Sequence, residues 1–462
     1  MYIYDSHEKA KVRFEPEFEG AVRIYLCGPT VYDDAHLGHA RSAICFDLLR
    51  RTLGKLGYKV LFARNITDID DKILNKIAQT NKSLEEIATL YSESYHNDMS
   101  ALNVLPADVE PKATDHIPQM IDLISRLLEN GAAYRALSGD IYFDASGDQS
   151  YGLLSGETQE ETQSRISVEA KRSPRDFVLW KLAKADEVSF DSPFGRGRPG
   201  WHVECSAMAQ THLWREEAQY ACDIHAGGMD LFFPHHENEA AQTRCAFDNK
   251  LSRYWMHNGF VRIDGQKMSK SVGNSFFVKD ALGRFQGESL RFYLMSIHYR
   301  AGLNYNDSDL FASKKRLDRI YRLKQRLLGG AGEPQASFLD DLLAAMSDDM
   351  NISKALAVVD EMISSANEKL SSTPKDDTLR SLLAGNLKLI EELLGVGTRD
   401  PFEWFQFGID PAKKVEIERL IEERAAAKKS RDFNRADRIR DELSSIQIAL
   451  LDTTDGTVWE KL

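Results

Sequence analysis

The sequence predicts an α/β protein built on a doubly wound parallel sheet, and three features near its start predict it. Residues 21–27, AVRIYLC, are rich in β-formers and read as a strand ending at Cys27. Gly28-Pro29-Thr30 is a turn signal, after which apolar residues recur at helical spacing from near Leu37 through HARSAICFDLLRRTLGKLG, with Gly57 as the stop. YKVLFARNI (58–66) is the next strand. Strand, glycine-containing turn, helix and strand make a βαβ unit, whose natural setting is a parallel sheet with ligand at the carboxyl ends of its strands.

The rest of the chain reads in order from the same signals. Residues 83–135 look helical, interrupted at Pro106 and Pro111. Residues 139–200 are richer in Gly, Ser and Pro, with short β-like pieces such as DIYFD (140–144), and suggest a subdomain inserted on the sheet. Short strands and turns return over 220–262, and helical patterns dominate from Asp307 to about residue 395. The stretch 396–410 breaks the pattern as a linker would. Residues 411–445 are highly charged with the two signs nearly balanced, which suggests a solvated helix pair laced with salt bridges.

A length of 462 residues implies two or more domains. No run approaches the roughly 18 consecutive apolar residues of a membrane span. The first residues, MYIYDSHEKAKVRF, lack the apolar core of a signal peptide, so a cytoplasmic protein without membrane association is expected. Five cysteines in a chain of this length suit reduced thiols or metal ligands better than a disulfide framework. The net charge of −12 leans against a nucleic-acid partner, but phosphate contacts depend on local Lys/Arg clusters, so composition does not decide the point.

Two elements suggest a nucleotide site. His36-Leu37-Gly38-His39 lies where the first strand turns into its helix, and a helix N-terminus presents N–H groups and a positive dipole end to an anion. Both histidines can donate to phosphate oxygens, Gly38 lets a flat base lie on the backbone, Gly28 opens the turn, and Thr30 adds a hydroxyl. The alternative is two surface histidines near a helix start. Lys267-Met268-Ser269-Lys270-Ser271 puts two lysines in a loop followed by Val272-Gly273-Asn274. Such lysines stabilise charge developing on a departing polyphosphate; the alternative is a basic surface loop.

A third group has metal-ligand chemistry. His235 and Glu239 are four apart at the start of a helix and share one face, Cys27 ends the first strand, and Cys205 sits in GWHVECSAM. Spacing alone does not join these four, because there is no CxxC and a lone cysteine is more often a small buried apolar residue.

The two nucleotide elements, in this order, resemble the signatures of class I aminoacyl-tRNA synthetases, with Leu37 where Ile is usual. That resemblance implies a Rossmann-type catalytic domain, with His36, His39 and Lys270 binding ATP and its transition state, Lys267 assisting, and Mg²⁺ accompanying ATP. The blocks GPTVYDDAHLGH, KRSPRDFVLWK, GWHVECSAM, FPHHENEAAQ, KMSKSVGN and HYRAGLNY are similar to those of the cysteinyl-tRNA synthetase family. In that family the matching positions, here Cys27, Cys205, His235 and Glu239, hold one Zn²⁺. The resemblance places His225 near the amino acid, Trp201 against its side chain, and Asp230 as a partner for its ammonium. It leaves His236 as a near-site polar residue, and Cys45, Cys222 and Cys245 as core or surface residues.

The implied partners are ATP, L-cysteine and tRNA-Cys, and the implied state is a monomer. The implied function is a cysteine–tRNA ligase that forms cysteinyl-adenylate and pyrophosphate and then esterifies the terminal adenosine of the tRNA. Zinc–thiolate bonding would select cysteine over serine, since packing alone separates near-isosteres by only about 10²-fold. Four ligands before substrate arrives exceed the usual three of a catalytic zinc, so Glu239 would be displaceable or the ion would become five-coordinate.

The implied division is residues 1–115 with 201–250 as a split catalytic domain and 116–200 as the inserted connective, acceptor-end domain. Residues 251–306 would be the stem-contact region carrying KMSKS, 307–400 the helical bundle, and 401–462 the anticodon-binding domain. There Trp459, Arg435, Arg438 and Arg440 are stacking candidates, with a core tryptophan and solvated i,i+3 ion pairs as alternatives. Departures from the family pattern are Ala226 and Met229 in HAGGMD, MSDDMN (346–351), and Ala301-Gly302. The rivals are a cysteine:amino-sugar ligase of mycothiol synthesis, which lacks the C-terminal half, a non-catalytic RNA-binding relative, and a methionine enzyme, which would not need Cys27 and Cys205.

Overall fold

Four parallel strands form the central sheet. The computed structural model describes residues 1–156, 171–184, 187–263, 266–267, 276–328, 330–453 and 456–461. Strand β1 (Ala21–Leu26), helix α1 (Leu37–Lys55) and strand β2 (Lys59–Arg64) are the βαβ unit expected from the sequence, with Gly57 in the left-handed region at φ +90°. Helix α2 (Trp201–Leu213), strand β3 (Tyr220–Gly228), helix α3 (Glu237–Ala246) and strand β4 (Lys250–Asn258) complete the layer. The strand order is β4-β3-β1-β2. The chain therefore leaves β1 in one direction to β2 and returns on its other side as β3. A crevice opens at such a switch point, beyond the carboxyl ends of the two strands.

Register fixes what faces that crevice. Tyr25 pairs with His225 and Leu26 with Ala226, and the ladder continues as Cys27 N donates to Ala226 O at 3.0 Å. Strand β4 aligns Trp255 with His225. Strands β1 and β3 are buried along nearly their whole length, as a sheet covered on both faces requires. Helix α1 supplies one cover through Leu37, Ala40, Ile44, Leu48 and Leu49. The boundary expected at residue 250 falls at the start of β4, so the sheet runs on to Asn258.

The inserted segment forms its own antiparallel sheet from Ala133–Arg135, Ile141–Phe143, Phe177–Leu182 and Gly197–Pro199, in that order. The helical reading of 83–135 therefore needs correction at its end. The helix Ile117–Glu129 stops at Gly131, whose φ of +73° breaks the helical path, and 133–135 turn into a strand. Further on, helices Asp307–Arg326, Ala336–Met346, Ile352–Ser372 and Asp377–Leu394 form the bundle, closed by Gly395 at φ +68°. No helix among the described residues is long and apolar enough to cross a membrane.

Two blocks that depart from the family pattern meet at one carboxylate. Asp349, 1% exposed and held at φ +57°, accepts Tyr4 N at 2.9 Å, Tyr299 Oη at 2.8 Å and Arg300 Nη2 at 2.7 Å. It joins the N-terminal hairpin (Tyr2–Asp5 paired with Ala10–Arg13), HYRAGLNY and the bundle. A second junction is Arg291, fully buried, which donates to Leu394 O at 2.8 Å, Leu102 O at 3.1 Å and Asn103 O at 2.9 Å and pairs with Asp47 on α1 at 2.5 Å.

The C-terminal helices Pro411–Lys429 and Phe433–Ser445 pack on the hairpin Ile448–Thr453/Gly456–Lys461. Trp459 is 3% exposed and sits with Ile417, Leu420, Ile439, Leu443 and Ile448. Among the described residues it is the one aromatic ring in the small core of this subdomain. The stacking reading of Trp459 is corrected accordingly. Arg435 pairs with Glu423 and Arg440 with Asp437 at 3.3 Å, as in the ion-pair alternative, whereas Arg438 Nε donates to the backbone carbonyl of Asn434 at 3.3 Å. The exposed ring of the same block is Phe433, at 62%. Trp459→Ala is expected to destabilise this subdomain by about 3 kcal/mol. Hydrogen exchange should then speed up over residues 411–461 and stay unchanged in the sheet.

Candidate active site and metal centre

The cleft lies at the switch point between β1 and β3. Cys27, Gly28, Thr30, His36, Gly38, His39, Trp201 and Asp230 all line it. Eight residues singled out from the sequence thus come to one crevice, although Trp201 starts α2 and Asp230 follows β3.

Each side chain is placed by its local backbone. His36 is the N-cap of α1: its Nδ1 accepts from Gly38 N at 3.1 Å and His39 N at 3.3 Å. The His39 ring returns to His36 N at 3.4 Å and stacks on His36 with centroids 3.7 Å apart. This is a capping box built from two histidines. It corrects one expectation, since two of the N–H groups expected to face an anion are taken by His36. The acceptor role of both Nδ1 atoms puts the ring protons on Nε2. Gly38 is required here for a further reason: a Cβ would lie 2.9 Å from the His36 ring. Gly28 is equally constrained, with a Cβ falling 1.7 Å from Asn65 O.

Below the cleft, Cys27, Cys205, His235 and Glu239 offer one donor atom each within 4.8 Å of one another. The two sulfurs are 3.9 Å apart, far beyond the roughly 2.0 Å of a disulfide. Two thiolates on a tetrahedral zinc with bonds of about 2.3 Å would stand about 3.8 Å apart. Cys27 Sγ lies 3.8 Å from Glu239 Oε1, and His235 Nε2 lies 2.8 Å from the same oxygen, one turn along α3. Glu239 Oε2 is buried without an aligned hydrogen-bond donor, although His225 Nε2 is 3.0 Å away. Donor types, spacing and the orphaned oxygen all fit zinc. A second set, Cys27, His225, His236 and Glu239, is equally compact but has one sulfur.

The electrostatics of the four groups favour protons on Cys27 and His235 when no cation is bound. Burial pushes the Cys27 thiol well up, while a hydrogen bond from Cys27 holds Cys205 down at about 6. Burial alone would lower His235, but the Glu239 carboxylate overcomes it and raises the ring to about 10. A divalent ion would displace those protons.

His225 is fully buried under this floor, stacked on Tyr25 with centroids 5.1 Å apart and 3.5 Å from Cys27 Sγ, rather than on the cleft wall. Trp201 stacks on His235 at 4.2 Å. His202 is a residue the sequence reading missed. Its Nδ1 stands 2.9 Å from His235 Nδ1, and burial holds it at about 3, so it stays a neutral acceptor that fixes His235 with Nε2 toward the sulfurs. Its signal was its spacing, three residues before Cys205 on one helix face. Lys72 and Tyr32 also line the cleft and were missed. Lys267 lies in the short strand Gln266–Lys267, paired with Arg262. Lys270 lies outside the described residues.

Comparison with known proteins agrees with this geometry. Residues 13–315 match the family described as the tRNA synthetases class I (C) catalytic domain, and residues 343–398 match the DALR domain. The chain is 56% identical over 465 residues to the cysteine–tRNA ligase of a Nitratiruptor species, covering 100% of both chains. It is 56% identical over 464 residues to that of a Helicobacter pylori strain, again covering 100% of both. Among solved structures, a Mycobacterium tuberculosis methionyl-tRNA synthetase in complex with methionyl-adenylate shares the fold at 16% identity. Its TM-score is 0.61, over 85% of this chain and 95% of that one. The Agrobacterium radiobacter LeuRS ternary complex does so at 12% identity and a TM-score of 0.62, over 85% and 86%. Parallel sheet, switch-point cleft, paired histidines and near-full-length identity converge: the chain belongs to the cysteine–tRNA ligase family of class I aminoacyl-tRNA synthetases.

Proposed function

We propose that this protein activates L-cysteine with ATP and transfers it to the terminal adenosine of tRNA-Cys. The observation that carries the reading is the set of two sulfurs, one imidazole and one carboxylate at the end of β1, beside the histidine-capped helix. In the first step the cysteine carboxylate attacks the α-phosphate and pyrophosphate leaves. His36 and His39 present Nε2–H donors to the phosphates, the Gly28–Thr30 loop holds the nucleotide, and Asp230 takes the substrate ammonium. Lys270, assisted by Lys267, neutralises the leaving pyrophosphate, and Mg²⁺ would accompany the ATP. In the second step a ribose hydroxyl of the tRNA attacks the activated carbonyl, the bond to the phosphate breaks, and AMP leaves with the hydroxyl proton passing to its phosphate or to water, so no side-chain nucleophile is needed.

Cys27, Cys205, His235 and Glu239 would hold one Zn²⁺, which when bound supplies a soft Lewis acid that favours a thiol over a hydroxyl. Trp201 orients this floor by stacking on His235. The bundle over 307–400 supports the anticodon arm and 401–462 read it, with Phe433 presenting the exposed ring. The DALR match at 343–398 argues against the amino-sugar ligase reading, which lacks this half.

ATP–pyrophosphate exchange with cysteine, serine and methionine tests the proposal, with metal content measured on the same sample. Cysteine should exceed serine by about 10⁴-fold with about one zinc per chain. Exchange with methionine instead would overturn the assignment of the metal floor. A folded, zinc-loaded protein without any exchange would favour the non-catalytic reading.

A further inference from the structure

Behind the loop that follows Cys27 runs a relay of buried polar side chains. Gly28 N donates to Asn65 Oδ1 at 2.8 Å, Asn65 Nδ2 donates to Thr67 Oγ1 at 3.2 Å, and Thr67 Oγ1 donates to Glu204 Oε2 at 3.1 Å. Asn65, Thr67 and Glu204 are 1%, 2% and 1% exposed. The direction at Asn65 is forced. A backbone N–H can only donate, so Asn65 must turn its oxygen to Gly28 and its amide nitrogen to Thr67. The Thr67 hydroxyl accepts from Asn65 and donates its own hydrogen bond to Glu204. The main chain holds the same loop at two more points, with Thr67 N donating to Pro29 O at 3.1 Å and Val31 N donating to Thr67 O at 3.0 Å.

The two ends of the relay are informative. Gly28 follows Cys27 and lines the cleft, whereas Glu204 precedes Cys205 in the first turn of α2. The relay therefore spans from the chain neighbour of one sulfur to the chain neighbour of the other. An apolar residue at 204 would strand a buried hydroxyl and free the loop to shift.

We infer that Glu204, acting through Thr67 and Asn65, is a positioning residue that sets the Gly28–Val31 loop against the nucleotide and ties its place to the thiol-binding floor. The inference rests on the reading of the cleft as the site of ATP and cysteine. It predicts that cutting the relay weakens ATP binding while the metal centre stays loaded.

The test uses the zinc-loaded full-length protein, with ATP varied at saturating cysteine and cysteine varied at saturating ATP. Thr67→Val should raise the KM for ATP about tenfold, with zinc content unchanged and the KM for cysteine within about twofold. Thr67→Ser, which keeps the hydroxyl, should restore the wild-type value. Asn65→Ala cuts the relay at its other end and should give the same rise, which keeps the test open if Thr67→Val does not fold. A wild-type KM for ATP in a folded Thr67→Val or Asn65→Ala enzyme overturns the inference, even if the melting temperature falls. So does a rise in both KM values together with loss of zinc, since that is a structural effect on the whole site. Wild-type protein without cysteine-dependent exchange would instead overturn the functional reading beneath it.

Discussion

Cys205→Ser is expected to empty the metal centre and to lower cysteine-dependent exchange by more than about 10²-fold. Groups that merely orient a ligand are worth about 10–100-fold in metal affinity, and a thiolate ligand is worth more. Cys205 is the sulfur that ionises most readily, held at about 6 by the hydrogen bond from Cys27, so it carries the negative charge that offsets a cation first. A serine hydroxyl in its place stays protonated and binds zinc poorly. Metal analysis and exchange kinetics on one sample decide the matter. A Cys205→Ser protein that keeps its zinc and its preference for cysteine over serine would refute the assignment of this floor. Cys45→Ser is the control, because Cys45 is buried in the main hydrophobic core away from the cluster and should change neither reading.

Arg291→Met should cost about 4 kcal/mol of folding stability, seen as a lower denaturation midpoint in urea. The guanidinium serves three backbone carbonyls and the Asp47 carboxylate at once, with no exposed surface. Methionine fills similar volume but leaves those acceptors buried without donors. Asp47 keeps Arg51 at 2.8 Å and Leu105 N at 3.0 Å, which limits the loss. Arg291→Lys should recover only part of it, because one ammonium does not reproduce the planar fork that reaches Leu394, Leu102 and Asn103 together. Equal stability of the methionine variant and wild type would show that the junction between α1 and the bundle is held by apolar packing alone.

Much of this was legible from residue order. The βαβ unit announced itself because β-forming residues, a Gly-Pro turn and helical spacing follow one another sharply between Ala21 and Leu37. A ligand site at the carboxyl ends of the strands followed from that unit, while the switch point itself came from the strand order. What spacing could not show is which distant residues meet. Cys27, Cys205 and Glu239 come from a strand and two helices, and their proximity is a product of strand order, so likeness to a family had to supply it. The double-histidine cap escaped notice because Ser, Thr, Asp and Asn are the usual N-caps, and a histidine at that position suggests a ligand contact first. Trp459 was ambiguous for the opposite reason: an aromatic among arginines suits either a small core or a base-stacking face, and only its burial separates the two.

The wide separation of the two sulfurs in the chain, 178 residues, has a consequence for how the protein is made. At a synthesis rate of about 5–20 residues per second, Cys205 emerges on the order of ten to forty seconds after Cys27. Until β3 arrives, the side of β1 that it will cover presents unpaired backbone groups to the surroundings, which is the kind of edge that recruits the wrong strand. The inserted antiparallel sheet is synthesised during that interval, and its strands pair in chain order. The half-built catalytic sheet pairs out of chain order and must wait for β3. Its most exposed moment is set by the ribosome rather than by its own stability.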